Sequence, residues 1–372
     1  MTNSPRAVAY IDLHALENNY RSIRQRLGAG VRLLGVVKAD AYGHGAREIS
    51  EKLRALGIDY LGVATVDEGM DLRKNGIAGP LLIMSGIFSW DELEPVLRYG
   101  LTPVIYDEEV LKRVVSGAAG LGRPLKVHIK FDTGMGRLGL DPSRAREIAG
   151  LLKAASAVEI EGLMSHFSAS EVKDEYGNEQ VRKFMEVIGA FKDAGIEPPC
   201  IHMGNSGAVV NYPEAHFNMV RTGISLYGSH PSPGIEEKLP LRQVMKVVAR
   251  IALVREFPPG VALSYGRTYV TDKQARIAYI PVGYSDGYPR SLSNKGLVLI
   301  KGRKCSIVGR VCMDWILADV TDLSGVKSGD EAILLGEGEG SRISANDMAQ
   351  RAGMIPYEIL CRISRRIVRV YV

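Results

Sequence analysis

Short apolar runs rich in Val, Ile and Leu recur through the first 230 residues. Each is followed by a longer segment in which apolar residues return every three or four positions. Eight runs have the length and content of buried strands: 31–37, 59–64, 80–84, 101–106, 125–131, 158–165, 200–203 and 217–226. Between them lie segments with helical spacing. In 46–56, Ile49, Leu53 and Leu56 share a face; in 179–194, Val181, Phe184, Val187, Ile188 and Phe191 do so. Gly57 and Gly195 follow these helices, where a left-handed cap is wanted. Asp141-Pro142 has the form of a helix start, with Asp as N-cap and Pro in the first turn.

Eight β/α units fill a (β/α)8 barrel, which takes roughly 200–250 residues. The same alternation suits a doubly wound open sheet. That fold carries a G-x-G-x-x-G turn after its first strand, whereas this chain has KADAYGHG there. Beyond 231–234 (PSPG) the rhythm changes to strands and turns: strand-like runs at 247–254, 276–281, 297–301 and 332–335, turn signals at 258–260 and 328–330, one helical segment at 344–352, and a last strand at 367–371. The expected fold class is therefore α/β: an N-terminal (β/α)8 TIM-type barrel domain over 1–235, followed by a mainly β C-terminal domain over 236–372.

Composition narrows the class. The chain has 372 residues, 46% hydrophobic and 24% charged, as expected of a globular protein with a full core. A net charge of +5 without a long basic run gives no nucleic-acid surface. Cys200, Cys305, Cys312 and Cys361 form no CxxC pair and no zinc-site spacing, so free thiols in a reducing compartment are expected and no metal. The N-terminus lacks the charged and apolar regions of a secretory signal. No apolar stretch approaches the ~20 residues of a membrane span. A cytoplasmic protein without membrane contact follows.

In a barrel, functional side chains stand at the C-terminal strand ends. The first end carries Lys38, which is either a solvated loop lysine or one held for covalent chemistry. Four other ends give it company: Lys130 through Arg137, Ser165-His166, the run His202 to Gly207, and Val220 to Ser225 around Arg221. Asn205-Ser206-Gly207 and Thr222-Gly223-Ile224 follow strands seven and eight, where this fold usually binds phosphate. They are also what simple turns would use. A lysine facing a phosphate site suggests pyridoxal 5'-phosphate (PLP), with the lysine bound to the aldehyde and the ring as electron sink.

VVKADAYGHG, KFDTGMGRLG, MSHFSAS, HMGNSGA, VRTGISLYG, LSYGRTY, PVGYSDGYPR, VGRVCMD and IPYEILCRIS, in that order and over both domains, resemble the alanine racemase family of fold-type III PLP enzymes. The resemblance implies interconversion of L- and D-alanine, the latter for peptidoglycan synthesis, in a cytoplasmic homodimer with shared active sites. It implies that Lys38 carries PLP covalently. Tyr42, Asn205, Ser206, Gly223, Ile224 and Tyr357 would hold the cofactor at its phosphate side. Arg221 would face the pyridine nitrogen, disfavouring its protonation, with His166 bonded to Arg221. Arg137 would bind the cofactor's phenolic oxygen and the substrate carboxylate. Lys130 matches a position carbamylated in many family members, where the new anion orients Arg137.

Two bases are implied: Lys38 on one face of the substrate Cα and Tyr265, reaching from the partner subunit, on the other. The chain Tyr265–His166–Arg221 would stabilise the phenolate. Met313 would offer its backbone N–H to the carboxylate, beside Cys312 and Asp314. Tyr284, Arg290, Arg310 and Ile355 would line the access corridor, with Glu171 or Asp174 as its acid. Two other readings share most of these residues: a serine or broad-specificity racemase, and a non-catalytic PLP carrier. Tyr357 and Tyr265 make a pocket tight enough to favour a methyl side chain, and a carrier has no use for a second base.

Overall fold

A computed structural model of the chain describes residues 5–118, 124–231, 235 and 238–372. Ser232, Pro233 and Gly234 of the expected boundary turn lie outside the described residues, as does Glu236. Eight parallel strands close into a barrel: Arg32–Val36, Tyr60–Val63, Leu81–Ile83, Thr102–Ile105, Leu125–Lys130, Val158–Met164, Cys200–His202 and Met219–Thr222. All eight lie within the apolar runs read above. Each strand packs one face against the outer helices and the other into the barrel interior, which explains why these runs are nearly continuous rather than alternating. The helices Ala46–Ala55 and Glu175–Asp193 bury the faces expected, and Gly57 and Gly195 follow them at φ 82° and 75°. Asp141 caps a single 3-10 turn, Pro142–Arg144, accepting from Ser143 N, before the helix Ala145–Ala154.

The second architectural part is built on a seven-stranded sheet, with a three-stranded and a two-stranded sheet beside it. Four details differ from the sequence reading. The strand Ala7–Ile11 belongs to the large sheet, antiparallel to Met245–Arg250 and parallel to Val368–Tyr371; both partners are remote in sequence, so no local pattern reveals it. The run 247–254 is two strands, Met245–Arg250 and Leu253–Phe257, which enter different sheets. A second C-terminal helix, Pro356–Arg362, follows the expected one at Ala345–Ala352. The last barrel strand stops at Thr222, because Leu226 N and Tyr227 N bond back to Gly223 O and Ile224 O in tight turns.

The helix Pro356–Arg362 and the final strand pack against the loop after the first barrel strand. Gly43 sits there at φ 79°, and a Cβ on it would lie 2.5 Å from Leu360 O. Gly76 has nearly the same φ, 80°, but open space around it. Gly76→Ala should cost about 1–2 kcal/mol for the left-handed backbone alone, and Gly43→Ala a further ~1–3 kcal/mol for crowding. Urea unfolding of the two variants checks this; equal losses would mean that the close approach contributes nothing.

Candidate active site

The first barrel strand ends at Val36, and Lys38 opens a turn of the wrong hand. Ala39, Asp40, Ala41 and Tyr42 all have φ between 52° and 54°. Each L-residue there costs roughly 1–2 kcal/mol, so the surroundings must fix the turn. Ala39 N donates to Glu68 Oε1 (2.7 Å), Ala46 N to Asp40 Oδ1 (2.8 Å) and Gly45 N to Asp40 O (3.0 Å). The ring of His44 contacts both Ala41 O and Tyr42 O at 3.0 Å through Nδ1. From the final strand, Arg369 donates to Gly43 O through Nε (3.1 Å) and a terminal nitrogen (3.0 Å). The turn thereby aims Lys38 into the barrel mouth and stacks Tyr42 near Tyr227 and Tyr357, at ring distances of 4.9 and 6.0 Å.

A cavity of about 620 Å³ opens at this mouth. Lys38, Tyr42, Lys130, Arg137 and His166 border it on one side; Asn205, Ser206, Arg221, Gly223 and Ile224 do so on the other, with Tyr357 from the C-terminal helix. Asp132 shapes the loop that carries Arg137 by accepting four backbone N–H groups, from Gly134, Met135, Gly136 and Arg137. Asn205 Oδ1 accepts from Gly207 N and Ala208 N, so this side-chain oxygen shapes its own loop. Ser206 Oγ accepts from Gly223 N at 3.2 Å, tying the two loops together. A side chain at Gly223 would collide with the Tyr42 hydroxyl. Glu171 borders the cavity, whereas Asp174 caps the helix Glu175–Asp193 through Gly177 N. Met84, Ser85 and Cys361 also line it. Nothing in their local sequence marks them: barrel closure brings Met84 and Ser85 here, and packing of the helix Pro356–Arg362 brings Cys361.

Arg221 is buried to 2% exposure. One terminal nitrogen meets His202 Nδ1 (2.9 Å); the other meets His166 Nδ1 (2.9 Å), Ser165 O (3.0 Å) and Met203 O (3.0 Å). Its Nε is buried without a partner. Burial, then the Arg137 charge, weakens the hold of Arg221 on its proton, down to about 9. A guanidinium there is still the donor in every contact. The Lys38 amine is lowered by desolvation first and by Arg137 second, with Glu68 opposing. Lys130 is lowered to about 8 by burial, Arg221 and Arg137. Burial and the Arg221 charge hold His166 neutral. Lys38, Lys130, Arg137 and Arg221 thus crowd one cavity with a single bordering carboxylate, Glu171. Such a field favours anions such as phosphate and carboxylate.

Comparison with known proteins bears on this geometry directly. "Alanine racemase, N-terminal domain" matches residues 11–231 and "Alanine racemase, C-terminal domain" matches 244–371. The chain belongs to the alanine racemase family. The alanine racemase of Halothermothrix orenii is 42% identical over 364 residues, 98% of this chain and 96% of that protein. The alanine racemase structure from Streptomyces lavendulae is 35% identical, with a TM-score of 0.93 over 100% of this chain and 98% of that one. The Bartonella henselae alanine racemase, solved with covalently bound pyridoxal phosphate, is 30% identical with a TM-score of 0.88 over 99% and 100%. The barrel and the mainly β part read from the sequence are the architecture of the family.

One chain does not bring every sequence-predicted residue to the cavity. Tyr265, Met313, Cys312, Asp314 and Tyr284 lie on the β part, outside the lining. Tyr265 is 71% exposed and Met313 53%. The turn presenting Tyr265 has positive φ at Ser264 (62°), Gly266 (70°) and Arg267 (52°), and Ser264 Oγ anchors it on Arg310 O at 2.7 Å. The Met313 loop is fixed by Asp314, which meets Arg366 at 2.7 Å and Ser285 Oγ at 3.2 Å.

The low Lys130 pKa is measurable. In protein labelled with ¹³C at lysine Cε and kept free of CO₂, so that the amine is unmodified, Lys130 should titrate with a midpoint near 8, while exposed lysines remain protonated to ~10. The sign follows from desolvation, which penalises the charged amine, so the neutral form appears early as pH rises. A midpoint above 10 would show that the burial and the neighbouring cations do not act as described.

Proposed function

We propose that this chain carries out the activity of its family, PLP-dependent racemisation of alanine, with Lys38 and Tyr265 as the two bases. The observation that carries the reading is the four-cation cavity at the barrel mouth, with Lys38 set in it by a strained turn. The residues present fit the cofactor. The buried, unpartnered Nε of Arg221 suits a ring nitrogen that lacks a proton. Ser206, the bare backbone of Gly223 and the hydroxyls of Tyr42 and Tyr357 suit a phosphate. When bound, PLP supplies an aldehyde for amines and a ring that draws electrons from the substrate Cα.

The chain's own residues do the rest. Lys38, whose burial loosens its hold on the proton, would offer its amine to the cofactor at rest and, once displaced by substrate, take or return a proton on one face of Cα. Tyr265 serves the other face. Its exposure, and the non-glycine left-handed positions at Ser264 and Arg267, support its presentation to a second copy of the chain. The proposed unit is thus a homodimer with shared sites. His166, bonded to Arg221, would receive Tyr265 and stabilise its phenolate. Arg137 and the Met313 N–H would hold the substrate carboxylate, with Cys312 and Asp314 fixing the Met313 loop. Tyr284 would stand on the access corridor with Glu171. The neutral form of Lys130, accessible near pH 8, suits carbamylation by CO₂, and the resulting anion would balance Arg137. D-Alanine supply for peptidoglycan, in the cytoplasm, is the role that fits this product.

Borohydride reduction of the PLP-loaded protein should fix the cofactor on the Lys38 peptide, read by mass spectrometry; label on another lysine would refute the assignment. Sharing of sites is tested by co-expressing Lys38→Ala and Tyr265→Ala chains under two tags. Each alone should be nearly inactive. The mixture should regain about one quarter of wild-type D-alanine formation, since half the dimers are mixed and each mixed dimer rebuilds one of its two sites. No recovery from purified mixed dimers would place both bases in one chain.

A further inference from the structure

Behind Arg221 the barrel core holds polar residues where this fold normally stacks branched apolar ones. His202 Nε2 lies 2.7 Å from His128 Nδ1, and His128 Nε2 lies 3.4 Å from Glu161 Oε2. Both histidines are fully buried. Gly162 leaves the room: a Cβ there would sit 2.5 Å from His128 Nδ1. Glu161 Oε1 lies 3.5 Å from the half-exposed Lys126 Nζ near the start of the fifth barrel strand. The chain thus runs from the mouth through the core to the opposite end of the barrel.

Donor chemistry gives the chain one direction. A guanidinium can only donate, so His202 Nδ1 must be bare and its proton must sit on Nε2. That proton goes to His128 Nδ1, which leaves His128 Nε2–H facing the Glu161 carboxylate across 3.4 Å, a charge contact rather than a formed hydrogen bond. Burial lowers the pKa of both histidines, with the Arg221 charge adding to it, while Glu161 opposes the shift at His128. Burial works against ionisation of Glu161, yet the neighbouring His128 and the Lys126 charge outweigh it. Each acceptor in the series makes the next nitrogen more basic. An apolar layer would pack this core without such demands.

We infer that His202, His128 and Glu161 are positioning residues, a one-way polar chain through the barrel, two hydrogen bonds and a charge contact, that sets the orientation and donor strength of Arg221 and so helps fix the protonation state of the cofactor's ring nitrogen. The chain pins one terminal nitrogen of Arg221 while Ser165 O, Met203 O and His166 pin the other, which leaves Nε–H as the group free to meet the ring. The inference rests on the proposed placement of that ring against Arg221.

Solid-state ¹⁵N NMR tests it on the holoenzyme, with labelled histidine and with PLP labelled at its ring nitrogen. In the wild type, His202 and His128 should both be neutral with the proton on Nε2. An Nδ1–H tautomer at His202, or a doubly protonated ring, would overturn the chain without need of any variant. In Glu161→Gln, the His128, His202 and ring-nitrogen resonances should all shift, and pyruvate released per D-alanine formed should change by about threefold or more, with Glu161→Asp restoring part of the effect. A shift confined to His128 would overturn the inference. Arg221→Lys separates the two levels: if it leaves the ring-nitrogen resonance unmoved, the placement of the ring is wrong; if it moves that resonance and Glu161→Gln does not, the relay is wrong.

Discussion

A single left-handed turn holds the molecule's chemistry in place. Four consecutive L-residues, Ala39 to Tyr42, occupy a region that each disfavours. The turn persists because two parts of the chain grip it. Glu68, Asp40 and His44 hold it from the barrel, and Arg369 holds the Gly43 carbonyl from the last strand. The strain is a local cost that tertiary contacts offset, as is common at functional sites. One consequence is mechanical: the base of the cavity is not an appendage of the barrel alone. The first strand and the last strand pair in the large β sheet, so both ends of the chain help to set Lys38.

The second consequence is electrostatic. Once Lys38 is aimed inward, it joins Lys130, Arg137 and Arg221 at one mouth. Burial makes their mutual repulsion stronger than it would be in water. Lys38, Lys130 and Arg221 all respond by holding their protons less tightly. Arg221 is met by acceptors at both terminal nitrogens and is the donor in each contact. The proposed chemistry would use both kinds of group, the lysines as amines and bases and the arginine as a fixed donor. The protein has prepared the cavity for anions before any arrives.

In the proposed mechanism the β part answers a different demand. Racemisation needs a proton donor and acceptor on opposite faces of one carbon, and a barrel mouth readily supplies only one face. Tyr265 stands on a strained, exposed turn, and Met313 on a loop braced by Asp314 and Arg366. Neither placement helps a lone chain bury surface. Both fit the proposed homodimer, in which a second copy would supply the opposite wall.

The barrel was legible in the sequence because its signal is local: eight apolar runs at regular spacing, each read within a residue or two of the observed strand except the last, which overran Thr222. Lys38, Arg137, His166 and Arg221 could be named because strand ends in this fold converge by rule. The sequence by itself determined these elements and the family motifs. It did not determine the hand of the turn at Ala39–Tyr42, since φ there is imposed by Arg369 and Glu68, hundreds or tens of residues away. Nor did it reveal the strand Ala7–Ile11, whose partners lie at the far end of the chain. His128 and Glu161 read as ordinary strand positions, and His202 only as part of a strand end, until closure of the barrel stacked them behind Arg221. Tertiary structure decided these features because each depends on which atoms meet across the fold, and local propensity carries no record of that.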